Sequence, residues 1–520
     1  MPKLENVNTT DVPSAIALGC RTMSSVFNTD DGNVPFFSST VLPEAELRFS
    51  PAHSEAHVPG RHLNALLNAE DCTGIVLDED VIEKHAKAAF LAYRGPVALP
   101  LNRQYIHGPV CNFIPHNIRE GFHALYALVA HRQMPAAARL AERSIEDIFK
   151  YWDAERGWNR SILEDDHGLT VSDSTFIIGL ARSIGPLVKY YRATQFDPAL
   201  ELALILKEKA VGAFFREDGA YDREIFGTHT HSTTCVMSSL AQLADVTDDM
   251  ALLGTVRAFY DNGLWEIRDE LGWVIEASGE DASPDRGEVN NTGDIVETAL
   301  ILAKHGFTDY YQDVERIVRC HILPSQLRDI SFISDSPNPD GEDGKRNVAD
   351  RHLGAFGFPA PYGHVPIEND HISFNMDIVG GAIGSLCEVH RNMVTSGNSG
   401  HRVNLLFDHE TPQVSVSSPY THDCLSIRVK DPGALWVRIP QWIDSKDVVL
   451  SGHSGRSVFS NGYLMLPDPP LNRPIDFGFP LAEDKLILRH RTRDINVEMA
   501  GDSVTGMSNF GAKLTFFDSL

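Results

Sequence analysis

Positive charge is scarce in this chain. Its 520 residues carry 45 Lys and Arg against 71 Asp and Glu, a formal charge of −26. Such a balance repels polyanions and argues against nucleic acid or an anionic membrane as partner. Cysteine is sparse as well. The seven, Cys20, Cys72, Cys111, Cys235, Cys320, Cys387 and Cys424, are dispersed and never form a CxxC pair. Neither a disulfide framework nor a zinc ribbon is therefore expected. No apolar run is long enough to span a bilayer. The segment Met1-Pro2-Lys3-Leu4-Glu5-Asn6 is polar where a secretion signal would be apolar. Together these absences point to a soluble protein with reduced thiols, a cytoplasmic compartment and no membrane partner. A homodimer remains compatible with them.

The hydrophobic fraction of 42% suits a globular protein, and the length suits two or three domains or one large domain with an appendage. Residues 1–79 look irregular, an N-terminal arm packed on the helical region. Within it, His53-Ser-Glu-Ala-His57-Val-Pro-Gly-Arg61-His62 is dense in polar hooks and suits a lid or a packing arm. From about 80 to 396 the helical period dominates. Ile118, Phe122, Leu125, Tyr126 and Val129 form one apolar stripe, and Ile145, Ile148, Phe149 and Trp152 another. Further helices are expected near 173–193, 198–215, 231–245, 249–264, 291–305, 308–322 and 376–394. Turn-like links such as Arg132–Pro135, Thr194–Asp197 and Asp245–Asp248 make consecutive helices antiparallel hairpins. Hairpins repeated in this way close best as an α/α toroid, with an open superhelix as the alternative. After about 397 the period changes to alternation, as in Leu425-Ser-Ile-Arg-Val429 and Leu435-Trp-Val-Arg-Ile439. The expected fold is thus mainly α with a β domain: an (α/α)6 barrel over 80–396 and an antiparallel β-sandwich over 397–520.

Polar loops between the helices hold the candidate chemistry. Gly287-Glu288-Val289-Asn290-Asn291-Thr292-Gly293-Asp294 opens a helix behind an acidic loop with Glu276, Glu280, Asp281 and Asp285. Asn291 and Asp294 match N-cap spacing and could be purely structural. Glu288 and Asn290 are freer to face a pocket. Apolar Trp273-Val274-Ile275 would desolvate Glu276 and fit it as a general acid, with Glu280 and Glu288 as rivals for the second carboxylate. His229-Thr-His231-Ser-Thr-Thr-Cys235 opens another helix. His231 suits a sugar hydroxyl or a carboxylate better than zinc, because no further ligand adjoins His231 and Cys235. Glu368-Asn-Asp370-His371-Ile-Ser-Phe-Asn375-Met-Asp377 could bind a polyhydroxylated ligand or simply cap the last barrel helix. His116-Asn-Ile-Arg119-Glu120 opens one more helix and could add contacts.

Several of these segments, in order, resemble the β-L-arabinofuranosidase-like proteins of glycoside hydrolase family 127. His231-Ser-Thr-Thr stands where that family has His-Ala-Asn-Thr, and Gly287-Glu288-Val289-Asn290 where it has Gly-Glu-Thr-Cys. Asp309-Tyr-Tyr-Gln-Asp-Val-Glu-Arg-Ile317 resembles its next helix, and Trp436-Val-Arg-Ile-Pro-Gln-Trp442 its β-domain signature. The resemblance spans about 100–480. It implies an (α/α)6 barrel with a β-sandwich and a pocket at the helix N-termini. It also implies Glu276 as acid/base glutamate and Glu288 as the glutamate that holds zinc. The family's zinc cysteine is Asn290 here, and its Cys-Cys pair, nucleophile included, falls near Phe374-Asn375. Losing those thiolates removes the soft metal site and the cysteine nucleophile.

What remains is a glycosidase acting on the terminal sugar of a small saccharide or glycoside, with no metal and no cofactor. Glu276, Glu288 and His231 are its expected catalytic groups, and His229, Glu280, Asn290, Asp294, His371 and Asn375 its expected substrate contacts. The alternatives are a lyase, dehydratase or cyclase using the same pocket on a small molecule, or an inactive ligand-binding homologue.

Overall fold

Reversal chemistry sets the architecture. The computed structural model describes residues 3–367 and 370–520. In chain order its helices are α1 (Val12–Met23), α2 (Val58–Thr73), α3 (Glu79–Ala92), α4 (Ile118–Arg132), α5 (Pro135–Tyr151), α6 (Ile184–Thr194) and α7 (Asp197–Ala213). Then come α8 (Arg223–Phe226), α9 (Thr230–Thr247), α10 (Met250–Asp261), α11 (Val289–Lys304), α12 (Tyr310–Ile317), α13 (Val348–His352) and α14 (Met376–Met393). Helices α4, α6 and α9 end on Gln133, Gln195 and Asp248, whose left-handed φ values are 48°, 57° and 54°. Such a residue closes the helix and turns the chain back. Helices α5 and α7 then carry proline in their first turn, where its missing N–H is not needed.

Among the described residues, α2, α4, α6, α9, α11 and α14 pack each on the next, and α14 returns to α2. This closed inner ring is wrapped by α1, α3, α5, α7, α10 and α12, which makes an (α/α)6 barrel. Burial follows position. Helix α9 is buried without a break from Thr230 to Ala244, whereas α5 buries one stripe of Ala137, Leu140, Ala141, Ser144, Ile145 and Ile148.

The N-terminal region departs from expectation. Residues 1–79 are not merely an irregular arm, because α1 and α2 lie within them and α2 is an inner-ring helix. Its polar residues Arg61, His62 and Asn68 are buried against ring neighbours, which hides the apolar period. Gly60 permits the approach of α2 to α4: a Cβ there would lie 1.8 Å from the Glu120 carbonyl oxygen. The helix expected from 173 starts only at Ile184, after a tight turn over Leu180–Ser183. Glu368 and Asn369 lie outside the described residues.

The C-terminal region holds two five-stranded sheets that share a core of Val403, Val414, Leu425, Ile427, Leu435, Val437, Leu466, Ile475 and Phe477. Pairing is antiparallel except between Gly400–Val403 and Leu435–Arg438, which run parallel. A third sheet, Glu483–Arg489, Asp494–Ala500 and Ser503–Met507, buries Leu488, Ile495, Val497 and Met499 in the barrel's core instead. Sandwich and barrel are joined at Glu315 of α12. Its carboxylate takes Arg438 from the sandwich, Arg319 at 2.9 Å and the Leu406 N–H at 3.0 Å. All seven cysteines are free. No helix among the described residues is long and apolar enough to cross a membrane.

Candidate functional site

The inner helices begin at one end of the ring, and their N-cap positions hold chemistry-bearing side chains. His57 precedes α2, Asn117 α4, His229 α9, Glu288 α11 and Asn375 α14. None of the five side chains caps its own helix by a hydrogen bond. The open N–H groups and helix dipoles favour negative charge at this mouth.

Beneath the caps lies a buried ionic floor. Glu120, fully withdrawn from solvent, faces Arg182 at 3.0 Å, Arg61 at 3.3 Å, Arg119 at 3.4 Å and His57 at 3.4 Å. Burial alone would raise its pKa, but Arg182, His57, Arg61 and Arg119 outweigh it and hold the carboxyl well below the usual range. Asp377 of α14 accepts from His57 Nε2 at 3.1 Å. Burial opposes its charge too, yet the His57 hydrogen bond and Arg61 keep its pKa low. Asp294 behaves differently. Burial lifts it to about 6, and one guanidinium at 3.4 Å, Arg119, does not compensate.

Glu288 is the most displaced acid at the mouth. Burial, then the charge of nearby Glu276, then Asp377 push its pKa up to about 8. It is therefore protonated at neutral pH. Asn290 Nδ2 donates to Glu288 Oε1 at 3.0 Å, and His231 Nδ1 stands 3.4 Å from the same oxygen. Arg61 Nη2 lies 3.2 Å from His231 Nε2. A guanidinium only donates, so His231 carries its proton on Nδ1, the nitrogen nearer Glu288. The Asn290 N–H occupies Oε1, which assigns the carboxylic proton of Glu288 to Oε2. His231 itself is kept neutral by burial and by Arg61 and Arg182.

Glu276 does not sit in the apolar surroundings expected of it. Its carboxylate is about a quarter exposed and ion-paired with Arg286, whose guanidinium lies over the Phe358 ring. Trp273 instead donates its indole N–H to Pro359 O and packs on His490. The β region reaches this rim. Arg493 Nη1 pairs with Asp285 at 2.9 Å and Arg491 Nη2 donates to Ser278 O at 3.2 Å, bracing the acidic loop.

A row of imidazoles lines the other side. His53, His57, His116 and His229 follow one another with ring centroids 5.2, 5.4 and 5.4 Å apart. Burial depresses His53 to about 3, His229 to about 4 and His116 well below its ordinary value. Among the described residues, two groups bring one donor atom each within 4.8 Å: His53 with His57 and His116, and His229 with His231 and Glu288. The thiolate zinc site implied by the resemblance does not fit these residues. Glu288 has an amide and an imidazole beside it, and Cys235 is buried with its thiol pKa raised by burial.

Of the expected contacts, the mouth gathers His229, His231, Glu288, Asn290, Asp294 and Asn375. Glu280 is exposed and pairs with Arg223. His371 is exposed at the start of the strand Ile372–Asn375. Asn291 is not a cap: it donates to Thr230 Oγ1 at 2.8 Å inside the first turn of α11. Asp294 is not a cap partner either, since it accepts from Thr234 at 3.0 Å. Four participants lacked a specific role from sequence: His57, Arg61, Arg182 and Asp377. His53, His57 and Arg61 are spaced by four, and that one-face pattern is the signal for the first two.

No protein-family model matches the chain, and no curated protein matches its sequence. Solved structures do. A β-L-arabinofuranosidase of glycoside hydrolase family 127 from Geobacillus stearothermophilus T6 superposes with TM-score 0.58 at 12% identity, over 95% of this chain and 80% of that one. A second family 127 β-arabinofuranosidase gives 0.58 at 13% identity over 95% and 81%. A sugar epimerase from a ruminal bacterium gives 0.51 at 13% identity, over 73% of this chain and 99% of that one. The chain therefore has the fold of the family 127 β-L-arabinofuranosidases, a six-hairpin barrel followed by a β domain.

Proposed function

We propose that the protein is a glycosidase that removes a terminal sugar from a small saccharide or glycoside by carboxylate acid/base chemistry, without a cysteine nucleophile. One observation carries this. Glu288 is kept protonated near neutral pH by burial and by the charge of Glu276 beside it. A protonated carboxyl beside an arginine-paired carboxylate at one mouth is what glycoside cleavage requires. Glu288 then donates its Oε2 proton to the departing glycosidic oxygen, and Glu276, held by Arg286, activates water. These roles reverse the order expected from sequence. His231 and Asn290 orient Glu288, while His229 and Asn375 offer hydrogen bonds to sugar hydroxyls.

The structural neighbours named as arabinofuranosidases make aryl L-arabinofuranosides the first substrates to test, followed by other small aryl glycosides. The chain should release the aglycone, and Glu288→Gln and Glu276→Gln should each lose that activity. The neutral imidazoles of His53, His116 and His229 favour a second possibility, proton transfer on a free sugar without hydrolysis. Uptake of solvent deuterium into an unhydrolysed sugar, with no aglycone released from any glycoside, would select it and dismiss the hydrolase.

A further inference from the structure

We propose that His53, His57, His116 and Asp377 form a binding site for one divalent transition-metal ion of borderline softness, such as zinc or cobalt. This goes beyond the glycosidase proposal, since the ion needs neither Glu276 nor Glu288.

Hydrogen-bond direction is the first argument. His116 Nδ1 lies 3.0 Å from Ile178 O, a pure acceptor, so Nδ1 holds the proton and Nε2 the lone pair. Asn117 Nδ2 donates to Ala52 O at 2.7 Å, which leaves Asn117 Oδ1 to accept from His57 Nδ1 at 2.9 Å. His53 Nδ1 is engaged by Ser50 Oγ at 3.2 Å. Each ring is thus held through Nδ1, as metal-binding histidines are held by their outer partners; on His57 the other nitrogen shares a proton with Asp377, which an ion would replace.

Geometry is the second. The three rings bring one nitrogen each within 4.8 Å of one another. Their centroids are 5.2, 5.4 and 6.2 Å apart. Imidazoles sharing one ion at about 2.1 Å have centroids roughly 5–6 Å apart.

The third is an unmet charge. Asp377 Oδ1 is buried without a hydrogen-bond partner, and its Oδ2 faces His57 Nε2 at 3.1 Å. Adjacent ligands on an ion at about 2.1 Å stand that far apart. A cation that replaced the proton between His57 and Asp377 would meet the carboxylate and one nitrogen of each ring. Three imidazoles and one carboxylate select borderline ions over calcium or magnesium, which take oxygen alone. The group of His229, His231 and Glu288 is the poorer host, because the Arg61 guanidinium stands 3.2 Å from His231 Nε2 and would repel a cation.

The test uses the full chain, stripped with chelator and titrated with cobalt(II) by visible absorption and with zinc by calorimetry. One ion per chain is expected, with the intense d–d bands of a four-coordinate cobalt site. His53→Ala and His116→Ala, both at half-buried positions, should weaken binding by about 100-fold or more, since even outer-shell partners are worth about 10–100-fold. Glu288→Gln should bind the ion like the parent while losing glycoside hydrolysis, so the two proposals fail separately. Melting curves confirm that each variant is folded. No ion uptake by the stripped chain, or uptake unchanged in folded His53→Ala and His116→Ala, would overturn the site.

Discussion

His231 Nδ1 stands 3.4 Å from Glu288 Oε1, with both side chains almost wholly withdrawn from solvent. A neutral imidazole facing a protonated carboxylic acid avoids burying charge, and that explains how this pair survives in the barrel.

Stability should depend on pH through this pair. Glu288 is raised from 4.5 to about 8, so between those values the folded chain binds a proton that the unfolded chain has lost. Its contribution is complete below about 4.5 and is lost as pH rises through about 8. Glu288→Gln removes the titration. The parent should lose on the order of a few kcal/mol from this group between about pH 5 and pH 8.5. The variant should lose less over the same range. Thermal melts at both pH values measure the difference.

Ring closure can be tested at two glycines. Alanine at Gly60 would drive its Cβ to 1.8 Å from the Glu120 carbonyl oxygen and force α2 from α4, disordering the floor of the mouth. Alanine at Gly254, in the outer helix α10, meets nothing within 4 Å. Gly60→Ala should sharply lower the melting temperature or abolish soluble expression. Gly254→Ala should stabilise by roughly 0.5–1 kcal/mol, the helix cost of glycine relative to alanine. Urea titration of both variants reports the contrast.

Arg438 and Glu315 join the sandwich to the barrel, with Glu315 fully buried. Arg438→Met leaves that carboxylate with Arg319 as its remaining ion-pair partner. Breaking a buried pair in this way typically costs about 3–5 kcal/mol. The variant should unfold at markedly lower urea, and limited proteolysis should cut first near the junction.

The barrel was legible because hairpin turns and apolar stripes are local signals. Gln133, Gln195 and Asp248 close α4, α6 and α9 where the turn-like links lie. Helix α2 was hidden because it buries Arg61, His62 and Asn68 along with Leu63, Leu66 and Leu67, so no separate polar face marks its period. The two resemblance segments around Glu315 and Arg438 prove to be partners, a contact that no local pattern displays. The site was legible in part. Acidic loop and helix start identified Glu288, Asn290 and His231, but the capping assignment of Asn291 failed because α11 begins earlier, at Val289. Which glutamate is desolvated depends on Arg286 and on the direction of Trp273, both set by tertiary packing. His57 and Asp377 meet across 320 residues of chain.

Glu288 as the general acid of a glycosidase is tested most directly with Glu288→Gln. The measurement is its hydrolysis of aryl glycosides of one sugar whose leaving phenols differ in acidity. Loss of a general acid should cost roughly 100- to 10,000-fold for poorly acidic phenols. It should cost little for a dinitrophenol, which departs without a proton. An equal loss across all leaving groups, or no loss, would contradict the assignment.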